Sequence, residues 1–115
     1  MALTNAGLEH RQRYGITDTL YMAVGTGTAT FDLAMTAMGT ELTRVTITST
    51  TVVGAMIIFA ALFTNNQGNG SLTEWGVWDA SSGGNLLAYG TFASAVTKAN
   101  TDAMVLRLTD TIANA

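Results

Sequence analysis

An apolar stretch at residues 52–63, VVGAMIIFAALF, constrains the fold of this chain more than any other feature. As an extended strand it carries apolar side chains on both faces, because successive residues of a strand point to opposite sides. Its periodicity also fits a buried helix, but its β-branched start and the Asn- and Gly-rich residues 65–70 that follow favour a long central strand. Such a strand needs cover on both faces, either from two sheets or from a sheet and a neighbouring subunit.

Residues 71–92, SLTEWGVWDASSGGNLLAYGTF, have the signature of a β-hairpin. Two apolar runs flank a cluster of Asp, Ser, Gly and Asn residues that favours a turn. Alternation along the first run places Trp75 and Val77 on one face and Leu72, Glu74, Gly76 and Trp78 on the other. Neither face is plainly polar, so this strand is predicted to be covered on both sides.

Glu74 is the charged residue inside that first apolar run. Burying its carboxylate is costly unless the group is hydrogen-bonded or paired with an arginine, for which Arg44 and Arg107 are the candidates. A solvated carboxylate facing a sheet edge is the other interpretation, because glutamate is rarely fully buried. The residues alone leave both interpretations open.

Three further segments, residues 20–24, 42–51 and 103–112, show the apolar runs or the alternation typical of strands. The Gly-Thr repeat at residues 25–28 predicts a turn or bulge after the first of them. Residues 30–38 fit one or two helical turns, because their apolar side chains recur at near-helical spacing.

An N-terminal helix is predicted over residues 2–14, with Thr4 or Asn5 as its cap and Gly15 as its stop. So short a helix hardly persists alone, and in a homo-oligomer it can dock on a neighbour. The sequence therefore predicts a helical arm at residues 1–15 and a single all-β domain at residues 16–115. That domain is an antiparallel β-sandwich, jelly-roll-like or partly closed as a barrel, with about six strands.

Charged residues make up 11% of the chain and hydrophobic residues 48%, whereas soluble domains average about 25% charged residues. So much neutral surface predicts burial against other copies, in a trimer or dimer, or against a larger assembly. The net charge of −3 argues against a nucleic-acid partner, which normally needs a basic face. No apolar stretch approaches the roughly 20 residues of a membrane span, so no membrane partner is predicted.

The sequence offers little catalytic chemistry. His10 is the single histidine and no Cys is present, so neither a site of several imidazoles nor a rigid triad is predicted. The Gly-Thr repeat lacks the third Gly of a dinucleotide fingerprint and the Lys of a P-loop. No spacing selects two carboxylates for glycoside cleavage. We therefore predict no catalytic residue, no metal site and no cofactor.

Three segments, residues 16–28, 39–44 and 72–88, together resemble a family of small tailed-bacteriophage virion proteins. In that family a strand ends in an A-[VL]-G-x-G turn, and an L-x-x-E-x-x-R segment, an E-x-G-[LV]-[aromatic]-[DN] hairpin and an L-A strand follow. The same order is similar to the N-terminal domain of phage tail-collar fibre proteins. The resemblance implies framework roles for Glu41, Arg44, Glu74 and Gly76, with Arg44 a candidate partner of Glu74.

The resemblance implies a non-enzymatic structural protein of the virion, on the capsid surface or on the tail. The first interpretation is a cement or decoration protein that binds the major capsid protein, with Leu3, Leu8 and Tyr14 of the arm contacting a neighbour. The alternative is a small fibre, collar or baseplate component mounted on tail proteins.

A carbohydrate-binding module is a third interpretation, because Trp75, Trp78 and Tyr89 are the kind of side chains that stack on sugars. Large aromatic residues dominate the energetics of protein cores, so burial of both tryptophans is the simpler expectation. Exposed and coplanar tryptophans would reverse that expectation.

Overall fold

The computed structural model describes Thr4, Ala6, residues 19–54 and residues 56–111. Within these residues the strands are β1 (Tyr21–Gly25), β2 (Glu41–Thr46), β3 (Ser49–Val53), β4 (Met56–Phe63), β5 (Gly70–Trp78), β6 (Leu86–Lys98) and β7 (Met104–Thr111). They form a four-stranded sheet in the order β2-β1-β5-β6 and a three-stranded sheet in the order β3-β4-β7. All pairings are antiparallel. The predicted all-β class is confirmed, with one strand more than expected.

The hairpin predicted at residues 71–92 is formed by β5 and β6. The pairing is irregular between Leu72 and Glu74, and this irregularity reverses the side to which the following side chains point. Leu72 therefore packs in the core between the sheets, whereas Glu74 faces the other way. The prediction that Leu72 and Glu74 share a face is wrong for this reason. The prediction that β5 is covered on both sides is confirmed, because most of its residues are buried.

The prediction of one long strand at residues 52–63 is wrong. The strand β3 ends at Val53, and β4 begins at Met56, which pairs with Val53 in an antiparallel hairpin. Between them Gly54 has a φ of +58°. Glycine adopts this left-handed conformation without the steric cost that a Cβ brings, so the chain reverses at this point.

The expected strand at residues 42–51 is also divided, because the chain passes from one sheet to the other at Ile47 and Thr48. The N–H of Ile47 donates to the carbonyl of Leu20, next to β1, at 2.8 Å. The N–H of Thr48 donates to the carbonyl of Ala60, in β4, at 3.0 Å. These two residues therefore form the corner that joins the layers.

No helix forms at residues 30–38, where the sequence predicts helical turns. Asp32 accepts the N–H of Ala34 through its carboxylate at 2.8 Å and the N–H of Met35 through its carbonyl at 3.0 Å. Such local side-chain bonding competes with helix continuation. Farther along, Met38 is buried in the same cluster as Trp78, which holds the segment against the sheet.

The main core lies between the two sheets. Its fully or nearly fully buried members include Met22, Val24, Ile57, Phe59, Ala61, Phe63, Leu72 and Val77. A second cluster lies on the outer face of the four-stranded sheet and comprises Ala23, Met38, Trp78, Leu86 and Tyr89. Residues 26–40, called here the covering loop, lie over this second cluster and contribute Met38 to it. The middle strands of the four-stranded sheet, β1 and β5, are therefore covered on both faces.

The predicted arm at residues 1–15 lies outside the described residues except for Thr4 and Ala6. Thr4 is buried; its N–H donates to the carbonyl of Leu87 at 2.9 Å, and its hydroxyl donates to the carbonyl of Leu86. Ala6 packs against the main core. These two residues therefore contact β6 and the core of their own chain. In the described part of the chain, no helix has the length and apolar character to cross a membrane.

Candidate functional site

The carboxylate of Glu74 is buried beneath the covering loop and is held by four hydrogen bonds. One oxygen accepts the N–H of Gly27 at 3.1 Å and of Thr40 at 2.6 Å. The other accepts the N–H of Gly39 at 2.8 Å and the hydroxyl of Tyr89 at 2.6 Å. The buried interpretation of Glu74 is therefore confirmed. Its partners are backbone N–H groups and a phenol rather than an arginine.

Glycines at the end of β1 leave the room that this carboxylate occupies. In the sheet, Gly25 lies between Glu41 on β2 and Glu74 on β5. A Cβ on Gly25 would lie 2.4 Å from a carboxylate oxygen of Glu74, and one on Gly27 would lie 2.5 Å from the backbone nitrogen of Thr40. Neither distance is sterically permitted. The Gly-x-Gly turn is thus a cradle for a side chain of the same protein.

The charge state of the cradle follows from its contacts. Burial by itself raises the pKa of Glu74, but the hydrogen bonds from Tyr89, Thr40, Gly39 and Gly27 outweigh burial and hold the pKa below its ordinary value. Burial and the bond to Glu74 both raise the pKa of the Tyr89 hydroxyl. That hydroxyl also accepts the N–H of Ala29 at 2.9 Å. At neutral pH the cradle therefore holds a carboxylate and a neutral phenol, both engaged in fastening the covering loop.

Arg44 fastens the turn at the tip of the β5–β6 hairpin. Its guanidinium donates to both carboxylate oxygens of Glu41 at 2.8 Å and to the carbonyls of Ala80 and Gly83 at 2.8 Å. The guanidinium carbon lies 3.8 Å from the centre of the Trp78 ring, in a cation–π contact. The framework role predicted for Arg44 fits this arrangement, but its pairing with Glu74 is wrong.

Lys98 is a third residue that holds a loop in place, and the sequence analysis did not identify it. It is 3% exposed at the end of β6. Its ammonium group donates to the carbonyl of Thr64 at 2.9 Å and to the side-chain oxygen of Asn69 at 2.8 Å. These bonds hold the loop between β4 and β5. A lone Lys after an apolar strand gave too weak a signal to predict this.

The tryptophans do not form a surface for sugar stacking. Trp75 faces the main core, where a Cβ on Gly90 would lie 2.3 Å from its ring. Trp78 points to the opposite face, is 4% exposed and lies beneath Arg44. Tyr89 is also buried. The expected burial is confirmed for Trp78, whereas Trp75 is only partly buried against the main core. The two tryptophans lie on opposite faces of β5, so they do not form the coplanar exposed pair that sugar stacking would need.

The remaining predicted residues are not brought to the cradle. Leu3, Leu8 and Tyr14 lie outside the described residues, so their predicted contact with a neighbour stays a prediction. Arg107 is exposed on β7, in the other sheet, and does not pair with Glu74. In the described ranges, no group of three or more His, Cys, Asp and Glu residues is placed to hold a metal ion.

A comparison with known protein families matches nearly the whole chain to a family model. Residues 2–113 match the family model described as "Podophage GP4 fiber I protein gp80". No curated protein and no solved structure matches the chain. The match spans the β1 turn, the Glu41–Arg44 segment and the hairpin whose contacts are described above.

Proposed function

The chain belongs to the podophage GP4 fiber I protein gp80 family, and we propose that it is a non-enzymatic structural subunit of a phage tail fibre. Membership of a fibre family implies a place in the virion, on the tail. The family match over residues 2–113 carries the proposal. It favours the tail-fibre alternative over the capsid cement that the sequence reading put first.

The use of polar groups in the interior supports a mechanical role. Three charged side chains bind backbone groups of loops: the buried carboxylate of Glu74, the guanidinium of Arg44 and the buried ammonium of Lys98. These charged groups direct their hydrogen bonds to the protein itself and hold loops on the sheets. A domain whose loops are held in place at three points is suited to transmit load along a fibre without changing shape.

The partners that we propose are tail proteins of the same virion. The described surface carries several large apolar side chains that are more than a third exposed, among them Leu33, Leu42, Leu62 and Val105. Contact with other proteins of an assembly is the usual reason for such surface. The major capsid protein is the alternative partner, and the experiment below separates the two.

The test uses virions of a phage that carries this gene, labelled with antibodies against the chain and examined by electron microscopy. We expect label on the tail, with an antibody against the major capsid protein as the control for head labelling. Label on the head would contradict the proposal and restore the cement interpretation.

A second readout is a nonsense mutant of the gene. Particles grown without suppression should keep heads as heat-resistant as those of the wild type and should lose adsorption to the host. Heads that release DNA at a lower temperature would point to cement.

A further inference from the structure

The covering loop carries large apolar side chains on both of its sides. On the inner side, Met38 is 8% exposed in the second cluster, and Met35 is partly buried against the same cluster. Phe31 and Leu33 are 38% and 52% exposed in the described part of the chain. The outer side of a loop that only covers a sheet can be polar throughout. Two large apolar side chains close together there therefore indicate contact with another molecule.

Residues 30–34, which we call the tip, are exposed but are braced by hydrogen bonds. Next to the tip, the N–H of Ala29 donates to the buried hydroxyl of Tyr89 at 2.9 Å. Within it, Asp32 accepts the N–H groups of two residues that follow it, at 2.8 and 3.0 Å. A loop that is ordered beforehand loses less conformational entropy on binding. The tip is therefore preorganised to present its two apolar side chains.

Asp32 lies between Phe31 and Leu33 and adds a charge to the tip. One of its carboxylate oxygens accepts the N–H of Ala34. The other oxygen has no hydrogen-bond or ion-pair partner among the described residues. A partner therefore has to match an apolar, anionic, apolar pattern, with apolar surface for the two large side chains and a donor for the carboxylate.

This charge distinguishes between the possible occupants. A symmetric contact of two copies through their tips would bring two Asp32 carboxylates together, and like charges that face each other across an interface are unfavourable. Insertion of the tip into a lipid bilayer would remove the carboxylate from water, which is costly. A different protein with a basic side chain beside an apolar pocket avoids both costs.

We propose that the tip is the anchor by which this chain docks on another tail protein, which offers an apolar pocket bordered by an Arg or Lys side chain. Phe31 and Leu33 fill the pocket, and Asp32 pairs with the basic group at its rim. A few residues supply most of the binding energy of a protein interface, so two side chains on a preorganised loop can form its centre. The inference rests on the proposed function, because it names the surface by which a tail-fibre subunit is mounted.

The test is complementation of the nonsense mutant with plasmid copies of the gene that encode the wild type, Leu33→Asp or Asp32→Asn, at expression below saturation. Quantitative mass spectrometry of purified virions gives the copies of the chain relative to the major capsid protein. Leu33→Asp puts a carboxylate into the apolar pocket, so incorporation should fall at least about 10-fold. Asp32→Asn keeps a side-chain oxygen for the N–H of Ala34 but removes the charge, so incorporation should fall about two- to five-fold.

Leu42→Asp is the matched control. Leu42 is the same residue type as Leu33, is 44% exposed and lies on β2, outside the tip. The control should be incorporated within about two-fold of the wild type. Urea unfolding of each purified variant verifies that it is folded.

Incorporation of Leu33→Asp at the wild-type level, or an equal loss in Leu42→Asp, would overturn the inference. Two assays of the free wild-type chain address the other occupants: sedimentation velocity, and flotation with vesicles of phosphatidylethanolamine and phosphatidylglycerol. Self-association or vesicle binding that Leu33→Asp abolishes would assign the tip to a second copy or to a lipid surface, and would also overturn it. None of these results changes where antibodies label wild-type virions, so the proposed function and this inference can fail independently.

Discussion

The two sheets of this protein differ in what lies over their outer faces. Over the four-stranded sheet, the covering loop buries Trp78, Tyr89 and their neighbours. Over the three-stranded sheet, no described residue buries Leu62 or Val105. Both outer faces are apolar, so hydrophobicity alone does not explain the difference.

The difference lies in a polar anchor. Glu74 stands on the outer face of the four-stranded sheet and binds N–H groups at both ends of the covering loop, at Gly27 and at Gly39 and Thr40. The outward row of β4 has no carboxylate and no other group that binds backbone. A loop is thus held over an apolar face by one buried charge. The outer face of the three-stranded sheet has no such anchor among the described residues.

Removing the anchor should have the largest effect. Glu74→Ala removes three part-buried hydrogen bonds from the backbone N–H groups of Gly27, Gly39 and Thr40 to a charged acceptor. Because a hydrogen bond to a charged group contributes about 1.5–3 kcal/mol, we expect a loss of unfolding free energy of about 4 kcal/mol or more. Urea denaturation followed by circular dichroism measures it. Tyr89→Phe removes one donor and should cost about 1 kcal/mol. Equal, small losses in both variants would show that the covering loop does not depend on Glu74.

The second prediction concerns adjacent residues of β4. Phe63 is fully buried and Leu62 is 45% exposed. Phe63→Ala should cost about 3–5 kcal/mol, because it opens a cavity in the main core. Leu62→Ala should stay within about 0.5 kcal/mol in dilute solution, because the described residues leave this side chain largely exposed. A large loss in dilute Leu62→Ala would mean that another part of the chain already covers this side chain.

A smaller effect is expected at the hairpin tip. Arg44→Met keeps much of the contact with Trp78 but loses the ion pair with Glu41 and the bonds to Ala80 and Gly83. We expect a loss of about 1–2 kcal/mol, since part of the site is exposed and its charges are screened by water. Thermal unfolding measures the loss, with the exposed Asp102→Asn as a control that should leave stability unchanged. If Arg44→Met unfolds at the same temperature as the wild type, the framework role predicted for Arg44 is wrong.

The smallest effect is a pH dependence of the anchor. The folded pKa of Glu74 lies below its ordinary value of 4.5, so the unfolded chain binds its proton first as the pH falls. The stabilisation is therefore fully present above the unfolded pKa and is lost as the pH falls through the folded pKa. The difference in urea midpoint between the wild type and Glu74→Gln should narrow from pH 7 towards pH 3. A constant difference would contradict a lowered pKa.

The covered sheet shows how far the sequence could lead. The β5–β6 hairpin and the β1 turn follow from alternation and turn composition, and the burial of Trp78 follows from its size and apolar character. The apolar neighbours of Glu74 left its burial open and gave no means of predicting its hydrogen-bond partners. Arg44 lies opposite Ala23, whereas Glu74 lies opposite Gly25. This register exists only after the strands have paired.

The contact between Glu41 and Arg44 escaped prediction for a related reason. Residues three apart in a regular strand point to opposite faces. The β1–β2 pairing is irregular after Val24, which pairs with Thr43 while Gly25 pairs with Glu41. The skipped residue between them brings Glu41 and Arg44 to the same face. Alternation rules cannot place such a bulge without knowing the partner strand.

The exposed outer row of β4 was not predicted, because residues 52–63 were assigned to a single strand and β4 begins only at Met56. Read as one strand, residues 52–63 needed cover on both faces along their whole length. Gly54 divides the segment into a hairpin, and the described residues cover only its inner rows. Glycine inside an apolar run was the available signal, and it has several structural meanings. The predicted cover from a neighbouring subunit therefore concerns only the outer row of β4.

The bonds of Thr4 to Leu86 and Leu87 join residues that lie 82 positions apart for the nearer partner. During synthesis Thr4 therefore leaves the ribosome long before its binding site on β6 exists. Contacts between such distant residues form late, because the closure of a long loop has to precede them. The sheet that contains β6 must assemble first, so Thr4 is among the last residues to reach its place although it is made long before β6.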